Sequence, residues 1–322
     1  MTFKEAFFNS PGPKTKKEAG MLYLKGLMMG AADIVPGVSG GTIALISGIY
    51  ANLLAAIGSF DLKAIKLLAT FKIKDFISQV HLRFLVILLA GIGTAVVSLA
   101  RIMHFLLTEQ PVYTWSAFFG LILASTLILG KQIKWDGLAG FTFVVGLGLA
   151  FMLVGLIPKT TPEVWWFIIF AGMIAICAMI LPGISGSFLL LILGKYQYIT
   201  GALRDPFNAD SLAIIGLFII GAVLGITGFS RVLTWTLSRY EMITMAFLTG
   251  LMTGSLRKVW PYKEVLETKI IRGKIHILRE ENFLPTLDQG LAVALSIMIV
   301  SFAVVYFLEK QVKPQIKTQP QE

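Results

Sequence analysis

Long apolar stretches alternate along this chain with short polar segments that carry most of its charge. A helix needs about 20 apolar residues to cross the roughly 30 Å hydrocarbon core of a bilayer. Four stretches meet this length easily, and two more come close to it, one interrupted by an arginine and one rather short. The four are 84–107, 111–130, 137–158 and 289–308, and the two are 211–238 and 242–256. The pattern predicts an all-α integral membrane protein with six crossings.

Two further apolar segments, 21–57 and 164–203, are too long for one crossing and are broken near the middle by a Pro-Gly pair. Proline removes a backbone donor and disfavours helical geometry in the preceding residue, so helices are expected to end at Val35 and Leu181. Each arm is then about 12 to 20 residues long, which reaches mid-bilayer at about 1.5 Å per residue. We therefore predict a re-entrant helical hairpin in each segment.

The two interrupted segments are copies of one another. The stretch "GLMMGAADIVPGVSGGTIALISGIY" (26–50) aligns without a gap on "GMIAICAMILPGISGSFLLLILGKY" (172–196), so paired positions differ by 146, as 36 and 182 do. Identical pairs there include Gly26/Gly172, Pro36/Pro182, Gly37/Gly183, Ser39/Ser185, Gly40/Gly186, Gly48/Gly194 and Tyr50/Tyr196. Downstream the offset is 130, as in Gly91/Gly221, Arg101/Arg231, Gly120/Gly250 and Ser125/Ser255. We divide the single membrane domain into repeat one (21–158) and repeat two (164–308), with a cytoplasmic N-terminal segment (1–20) and tail (309–322).

Each repeat contains one hairpin and about three crossings, an odd number, so the second copy must enter the membrane from the opposite face. The sequence thus predicts two inverted repeats. With the N-terminus inside, the basic loops 58–83 and 131–136 lie in the cytoplasm, as the positive-inside rule requires. Loop 257–287 is also basic, yet parity places it outside, and its "KIIRGKIHILRE" alternates like a β-hairpin with a glycine turn. Either this loop meets anionic headgroups outside, or the number of crossings in repeat two is wrong by one.

Composition supports the membrane assignment and excludes several functions. The chain is 56% hydrophobic and 14% charged, whereas about a quarter of a soluble domain is charged. Its formal charge of +10 would suit nucleic acid, but the basic residues flank the apolar stretches, so we expect no nucleic-acid partner. The single cysteine, Cys177, and the scattered His81, His104 and His276 form no cluster, so we expect neither a metal nor a cofactor. The N-terminus lacks the pattern of a cleaved signal peptide.

Small and hydroxyl residues follow each Pro-Gly pair, at the start of the predicted second arm. The first backbone N–H groups of a helix have no intrahelical partner and bind anions, and glycine lets a ligand approach them closely. Two such ends, aimed from opposite sides, would form one site at the bilayer midplane. The alternative is that these residues only permit tight helix crossing. The predicted phosphate-binding residues are Ser39, Gly40, Gly41, Thr42, Ser185, Gly186 and Ser187.

Three charged residues within apolar segments extend this candidate site. Arg101 and Arg231 occupy equivalent positions in the two repeats, and an arginine at a helix centre costs roughly 2.5 to 3.5 kcal/mol on insertion scales. We assign both to the anionic ligand; the alternative is that they snorkel to the interface. Asp33 faces Met179 in the alignment and so breaks the symmetry. We assign Asp33 to proton coupling, and the alternative is a structural bond to amides of the hairpin tip.

The motifs "GAADIVPGVSGGTIALISGIY" and "LPGISGSFLLLILGKY", with "GFSRVL" and "GLMTGSLRKVWP" downstream, resemble the bacterial polyprenyl-phosphate transporter family. The resemblance covers 21 to about 308. It implies a protein of the bacterial cytoplasmic membrane that returns undecaprenyl phosphate from the outer to the inner leaflet for reuse in cell-wall synthesis. It further implies that the protein is not an enzyme and that its partners are the lipid and the bilayer. A homo-oligomer is left open.

Two other functions are compatible with this pattern. Intramembrane polyprenyl-pyrophosphate phosphatases resemble the chain in their inverted repeats and PG-S segments, but they place an arginine in that segment and a glutamate pair on a hairpin arm. The matching positions here are Gly40 and Gly186, and the hairpins contain no glutamate, so hydrolysis lacks its general base. A secondary transporter of a soluble anion would use the same helix ends, and competition with short-chain phosphates would distinguish it.

Overall fold

The computed structural model describes residues 2–34, 39–156, 161–203, 207–271 and 274–311. Two strands, β1 (Lys263–Ile271) and β2 (Lys274–Asn282), pair as an antiparallel hairpin between the last two helices. The helices are α1 (Phe3–Asn9), α2 (Lys16–Ile34), α3 (Gly40–Ile46), α4 (Tyr50–Gly58), α5 (Leu62–Ala69), α6 (Ile73–Gln79), α7 (Leu82–Glu109), α8 (Pro111–Gln132), α9 (Gly137–Val154), α10 (Trp165–Ile180), α11 (Gly186–Ile192), α12 (Tyr196–Ala202), α13 (Ala209–Arg239), α14 (Glu241–Val259) and α15 (Gln289–Gln311).

Five of the described helices, α7, α8, α9, α13 and α15, are long and apolar enough to cross a bilayer. They correspond to five of the six predicted crossings. α14 covers the sixth, 242–256, but is not apolar enough along its length to qualify. Its surroundings explain this, because α14 packs between α8 and α9 and its Leu248, Leu251 and Met252 are fully buried. A helix that faces protein on several sides needs no continuous apolar surface.

Each interrupted segment forms three helices, where the sequence predicted two arms. The first arms are α2 and α10, and α10 ends as predicted, with Leu181 as its C-cap; the prediction for Val35 lies outside the described residues. The second arms break after seven residues, so that α3 is followed by α4 at an angle of 118°. Gly48 and Gly194 stand at these breaks with φ of +73° and +63°. Glycine adopts this left-handed conformation without the steric cost that other residues incur.

Close glycine contacts hold the first crossing of each repeat to its hairpin. Gly26 and Gly91 face one another between α2 and α7, and a Cβ on either would collide with a backbone carbonyl oxygen of the other helix. Gly172 and Gly221, their sequence counterparts, occupy the same arrangement between α10 and α13. The duplicated glycines therefore serve the same close helix crossing in both copies.

The helices of each of these pairs run in the same direction. Beyond the facing glycines, contact continues at Gly30 against Ile92 in the first pair and at Gly225 against Ile176 in the second. In both cases the contact has moved further along both helices. The chain between α2 and α7, and between α10 and α13, therefore leads from the end of one helix back to the level at which both helices begin.

The remaining crossings pack against helices of the other repeat. α9 of repeat one packs along α14 of repeat two, and α15 of repeat two packs along α8 of repeat one. Within each pair the two helices again run in the same direction, because successive contacts advance along both helices. These contacts are Thr142 with Ile243, then Leu147 with Gly254, in one pair and Gly120 with Met298, then Lys131 with Tyr306, in the other.

Outside the crossings, two elements are tied to the helical body. The predicted β-hairpin in loop 257–287 is confirmed as β1 and β2. At the other end of the chain, α1 is fastened to the start of α7. The Arg83 guanidinium donates to the carbonyl oxygens of Phe8 and Gly12, each at 2.9 Å, and the Ser10 hydroxyl donates to that of Val80 at 2.6 Å. α2 begins at Lys16, five residues before the boundary predicted for repeat one.

Candidate functional site

The breaks of the two interrupted segments meet inside the protein. Ser39, the N-cap of α3, donates its hydroxyl to the Met179 carbonyl oxygen at 3.1 Å and lies 3.3 Å from that of Leu181. The Tyr50 hydroxyl donates to the Ile180 carbonyl oxygen at 3.2 Å. The last carbonyl groups of a helix have no partner within it. Hydroxyl groups of the first segment therefore satisfy the end of α10 in the second.

Two further residues of α3 complete this contact. The Gly183 N–H donates to Thr42 Oγ1 at 2.9 Å, and Gly41 lies so close to α10 that a Cβ would collide with the Ile180 carbonyl oxygen. The whole first motif, Ser39 to Thr42, is buried. The structure thus brings this motif against the Pro-Gly break of the second segment. It also commits the hydroxyls of Ser39 and Thr42 to protein hydrogen bonds.

Asp33 belongs to the end of α2, and its side chain lies at the start of α3. Its Oδ1 accepts the Gly40 N–H at 2.7 Å, so a carboxylate occupies the place where a helix start would hold an anion. This is the bond that the structural alternative for Asp33 requires. In the second copy Met179 takes the same position, with its Cβ 3.5 Å from where a Cβ on Gly186 would stand. Since methionine offers no comparable acceptor, α11 lacks the acidic partner that α3 has.

The start of α11 is open only at Ser187, because Ser185 and Gly186 are buried as Ser39 and Gly40 are. Ser185 is its N-cap residue but forms no capping hydrogen bond through its side chain, and its hydroxyl lies 2.9 Å from that of Ser187. Ser187 is exposed, whereas its counterpart Gly41 is buried. The two halves of the candidate site therefore differ in accessibility, although their sequences match.

Three hydrogen bonds that the sequence did not predict lie at the far ends of α3 and α11. The Lys25 ammonium donates to the Ser47 carbonyl oxygen at 2.6 Å. At the equivalent position in the second copy, the Leu193 carbonyl oxygen accepts from the Thr161 hydroxyl, and the fully buried Lys195 ammonium donates to the Thr161 carbonyl oxygen at 2.8 Å. Cations stabilise the negative end of a helix. A lysine inside each apolar segment was the signal that could have revealed these contacts.

The two predicted arginines are exposed and so are not part of the buried contact. Arg101 on α7 and Arg231 on α13 are both exposed, and the ion pairs found among the described residues involve neither of them. They sit on the two helices that pair with α2 and α10. No group of three or more His, Cys, Asp or Glu side chains in the described part of the chain could hold a metal ion.

Irregular backbone inside a bundle of membrane crossings is tolerated only where protein or a watery cavity satisfies its polar groups, and it is the construction that membrane transporters use for their substrates. The fold, with its five long apolar helices and its paired breaks, is that of a multi-pass membrane protein. The chain belongs to the undecaprenyl phosphate translocase-like family, whose model matches residues 29–276. The family resemblance seen in the motifs is thereby confirmed.

Two curated relatives carry the name polyprenyl-phosphate transporter. The protein from Vibrio cholerae serotype O1 is 40% identical over 297 residues, which cover 89% of this chain and 95% of that protein. The protein from Staphylococcus aureus is 32% identical over 257 residues, covering 74% of this chain and 85% of that protein. No solved structure matches the chain significantly.

Proposed function

We propose that this protein moves polyprenyl phosphate, and specifically undecaprenyl phosphate, from the outer to the inner leaflet of the bacterial cytoplasmic membrane. The lipid carrier then becomes available again for cell-wall synthesis. The observation that carries the proposal is the 40% identity to a polyprenyl-phosphate transporter along 89% of the chain. The multi-pass fold with two facing helix breaks supports it independently, because a phosphate headgroup needs polar partners at membrane depth.

The directions of the helices support the inverted repeats. α8 and α9 are both long enough to cross the membrane and are joined by residues 133–136 alone, so they run in opposite directions. α14, the counterpart of α8, runs with α9, and α15, the counterpart of α9, runs with α8. Each of these helices in repeat two therefore opposes its counterpart in repeat one. This is the arrangement expected of an odd number of crossings per repeat.

The re-entrant hairpins have similar support. Because α2 and α7 run in the same direction, the chain between them returns to the side where α2 begins, and the same holds for α10 and α13. α3 and α11 are then the short returning arms. With the N-terminus in the cytoplasm, α14 leads outward, so the β1–β2 hairpin that follows it lies on the outer side.

We place the phosphate where the two breaks meet. Backbone N–H groups and hydroxyls of 39–42 and 185–187 would bind its oxygens, and Arg101 and Arg231 would supply positive charge. In the conformation of this structure Asp33 and Ser39 close the start of α3, while Ser187 at the start of α11 is exposed. The phosphate would therefore bind first at α11, and reach α3 after the contact between the breaks has rearranged.

Leaflet-resolved transport in liposomes tests this function against its alternatives. The purified protein is reconstituted with undecaprenyl phosphate, and the loss of the lipid from one leaflet is followed over time. We expect protein-dependent transfer without release of inorganic phosphate. Phosphate release from undecaprenyl pyrophosphate would support the phosphatase instead, and inhibition by inorganic phosphate as strong as that by the lipid would support a transporter of a soluble anion.

The inverted topology predicts opposite labelling near the ends of the two hairpins. Single cysteines at Asn52 in α4 and Gln197 in α12, in a Cys177→Ser background, should react with a membrane-impermeant reagent from opposite sides of the membrane in intact cells. The reason is that α4 and α12 follow equivalent hairpins of opposite orientation. Labelling of both cysteines from one side would contradict the inverted repeats.

Asp33 is expected to couple transport to protons. Each net negative charge brought into an electrically negative cytoplasm costs about 2.3 kcal/mol per 100 mV, and a proton carried with the headgroup offsets that cost. We expect Asp33→Asn to retain lipid binding, because asparagine can still accept the Gly40 N–H, but to lose the stimulation of transport by an outside-acidic gradient. Asp136→Asn is the control, since Asp136 caps α9 through a similar bond at 2.7 Å. An unchanged gradient response in Asp33→Asn would leave Asp33 a structural role only.

A further inference from the structure

Three charged side chains meet where the β-hairpin joins α14. The ammonium groups of Lys258 and Lys263 lie 3.4 and 3.5 Å from the same Glu280 Oε2 atom. The side chains are 22%, 10% and 22% exposed for Lys258, Lys263 and Glu280 respectively. Two cations share one carboxylate, so the cluster keeps a net positive charge in a place that is largely shielded from water. Such a charge is costly unless a further anion joins it.

Aromatic rings hold the two lysines in position. The Lys263 ammonium lies 4.0 Å from the centre of the Trp115 ring on α8, and the Lys258 ammonium lies 5.1 Å from that of Phe188 on α11. Both distances are within the range of cation–π attraction. Asn282 also donates to the Arg257 carbonyl oxygen at 2.7 Å, which fixes the end of β2 to the end of α14. The cluster is thus built by α8, α11, α14 and the β-hairpin together.

The cluster adjoins the open start of α11. Phe188, which contacts Lys258, directly follows the exposed Ser187 in the first turn of that helix. Ser255, which precedes Lys258 on α14, lies against the second break. A Cβ on Gly183 would stand 3.0 Å from the Ser255 hydroxyl. One helix therefore connects the break of the second hairpin to the charged cluster.

We propose that Lys258 and Lys263 capture the phosphate monoester of the lipid on the outer face, and that Glu280 is an internal competitor which the phosphate displaces. The proposal rests on the proposed function and topology. A phosphate monoester carries up to two negative charges and three strong acceptor oxygens, so it can satisfy both ammonium groups where one carboxylate cannot. It also explains why an outer loop is basic against the positive-inside rule.

The pKa of Lys263 supports this role and gives a pH test. Burial lowers this pKa to about 8, with Glu280 raising it and Lys258 lowering it further. Glu280 on β2 and Lys258 on α14 are the charged groups that face Lys263 among the described residues. As pH rises through about 8, Lys263 loses its charge, so phosphate binding should weaken. An arginine stays charged at this pH, so Lys263→Arg should remove the pH dependence.

Binding of farnesyl phosphate to the purified full-length protein in detergent tests the capture site. We expect Lys258→Gln and Lys263→Gln each to raise the Kd about tenfold, because each removes a charged partner of the phosphate. In a Lys263→Arg background, where the positive charge does not depend on Glu280, Glu280→Gln should lower the Kd several-fold, because it removes the competitor. Arg257→Gln is the matched control: it removes a neighbouring charge that contacts Phe151 and not the cluster. Thermal unfolding of each variant confirms that it is folded.

The lysine variants and Glu280→Gln are expected to change the Kd in opposite directions, which distinguishes phosphate capture from a structural role. A purely structural ion pair would make Glu280→Gln weaken binding together with the lysine variants, and that result would overturn the capture site. Inorganic phosphate that competes as strongly as farnesyl phosphate would overturn the lipid as ligand, and farnesol, which lacks the phosphate, should not compete. If the wild-type protein transports no polyprenyl phosphate, the proposed function itself fails. If it transports the lipid and the lysine variants bind it normally, only the capture site fails.

Discussion

Replacing Gly41 with leucine is expected to reduce the transport of polyprenyl phosphate to below about a tenth of the wild-type rate. Any side chain at this position would collide with the carbonyl oxygen of Ile180 at the end of α10. Both sides of the contact are backbone, so neither can move aside as a flexible side chain would, and overpacking of this kind costs about 1 to 3 kcal/mol or more. The two breaks would separate, and Ser39 and Tyr50 would lose their partners.

The control for this experiment is Gly93→Leu on α7. Gly93 lies in an apolar helix like Gly41, but a Cβ there meets nothing within 4 Å, so the variant should transport normally. Thermal unfolding in detergent measures the loss of stability in Gly41→Leu, and the liposome assay measures transport. Normal transport by Gly41→Leu would mean that the contact between the breaks is not part of the working protein.

Substitution of either arginine is expected to weaken binding of the lipid phosphate strongly. Both arginines are exposed in this structure, so a large effect requires that the bound phosphate desolvates the pair; removing one charged partner then typically costs about 2 to 5 kcal/mol, whereas loss of a hydroxyl cap costs about 1. Arg101→Gln and Arg231→Gln should therefore raise the Kd for polyprenyl phosphate more than Ser39→Ala does, which removes the cap of α3. Lysine at either position should restore binding only in part, because it lacks the planar two-pronged geometry of the guanidinium.

The exposure of both arginines makes this a demanding test. If they only snorkel to the headgroup region, glutamine will leave the Kd unchanged, and the site must lie elsewhere. Arg239→Gln provides the comparison, since it removes one exposed charge from the same helix as Arg231 but at its end. An equal effect of Arg239→Gln and Arg231→Gln would indicate general surface charge in place of a specific phosphate contact.

Much of the fold could be predicted because its signals are local. Proline dictates where α10 ends, and continuous apolar length dictates five of the crossings. The break after α3 and α11 was not predicted, although Gly48 and Gly194 are an identical pair in the alignment. A glycine in an apolar run is equally compatible with close helix contact, and only the fold determines that its φ is positive. The lower hydropathy of α14 was likewise unexplained until its neighbours were known.

The candidate site was harder to predict, because its contacts cross between the repeats. The sequence indicates that Ser39 and Thr42 begin a helix, but not that their hydroxyls bind Met179 and Gly183, which are about 140 residues away. It also cannot distinguish the closed start of α3 from the open start of α11, because the difference depends on the bond that Asp33 makes. The charged cluster around Glu280 was invisible for the same reason.

Because α9 packs against repeat two and α15 packs against repeat one, the two repeats cannot move independently. α9 cannot follow the rest of repeat one without leaving α14, and α15 cannot follow repeat two without leaving α8. These four helices form a frame to which both copies contribute. The bodies made of α2 with α7 and of α10 with α13 lie outside this frame, and the contact between the two breaks joins them to each other, so they could move against it only after that contact has rearranged. Motion between the two faces of the membrane would then be a displacement of two arms about a shared frame, and a chain cut between the repeats would have no complete frame in either half.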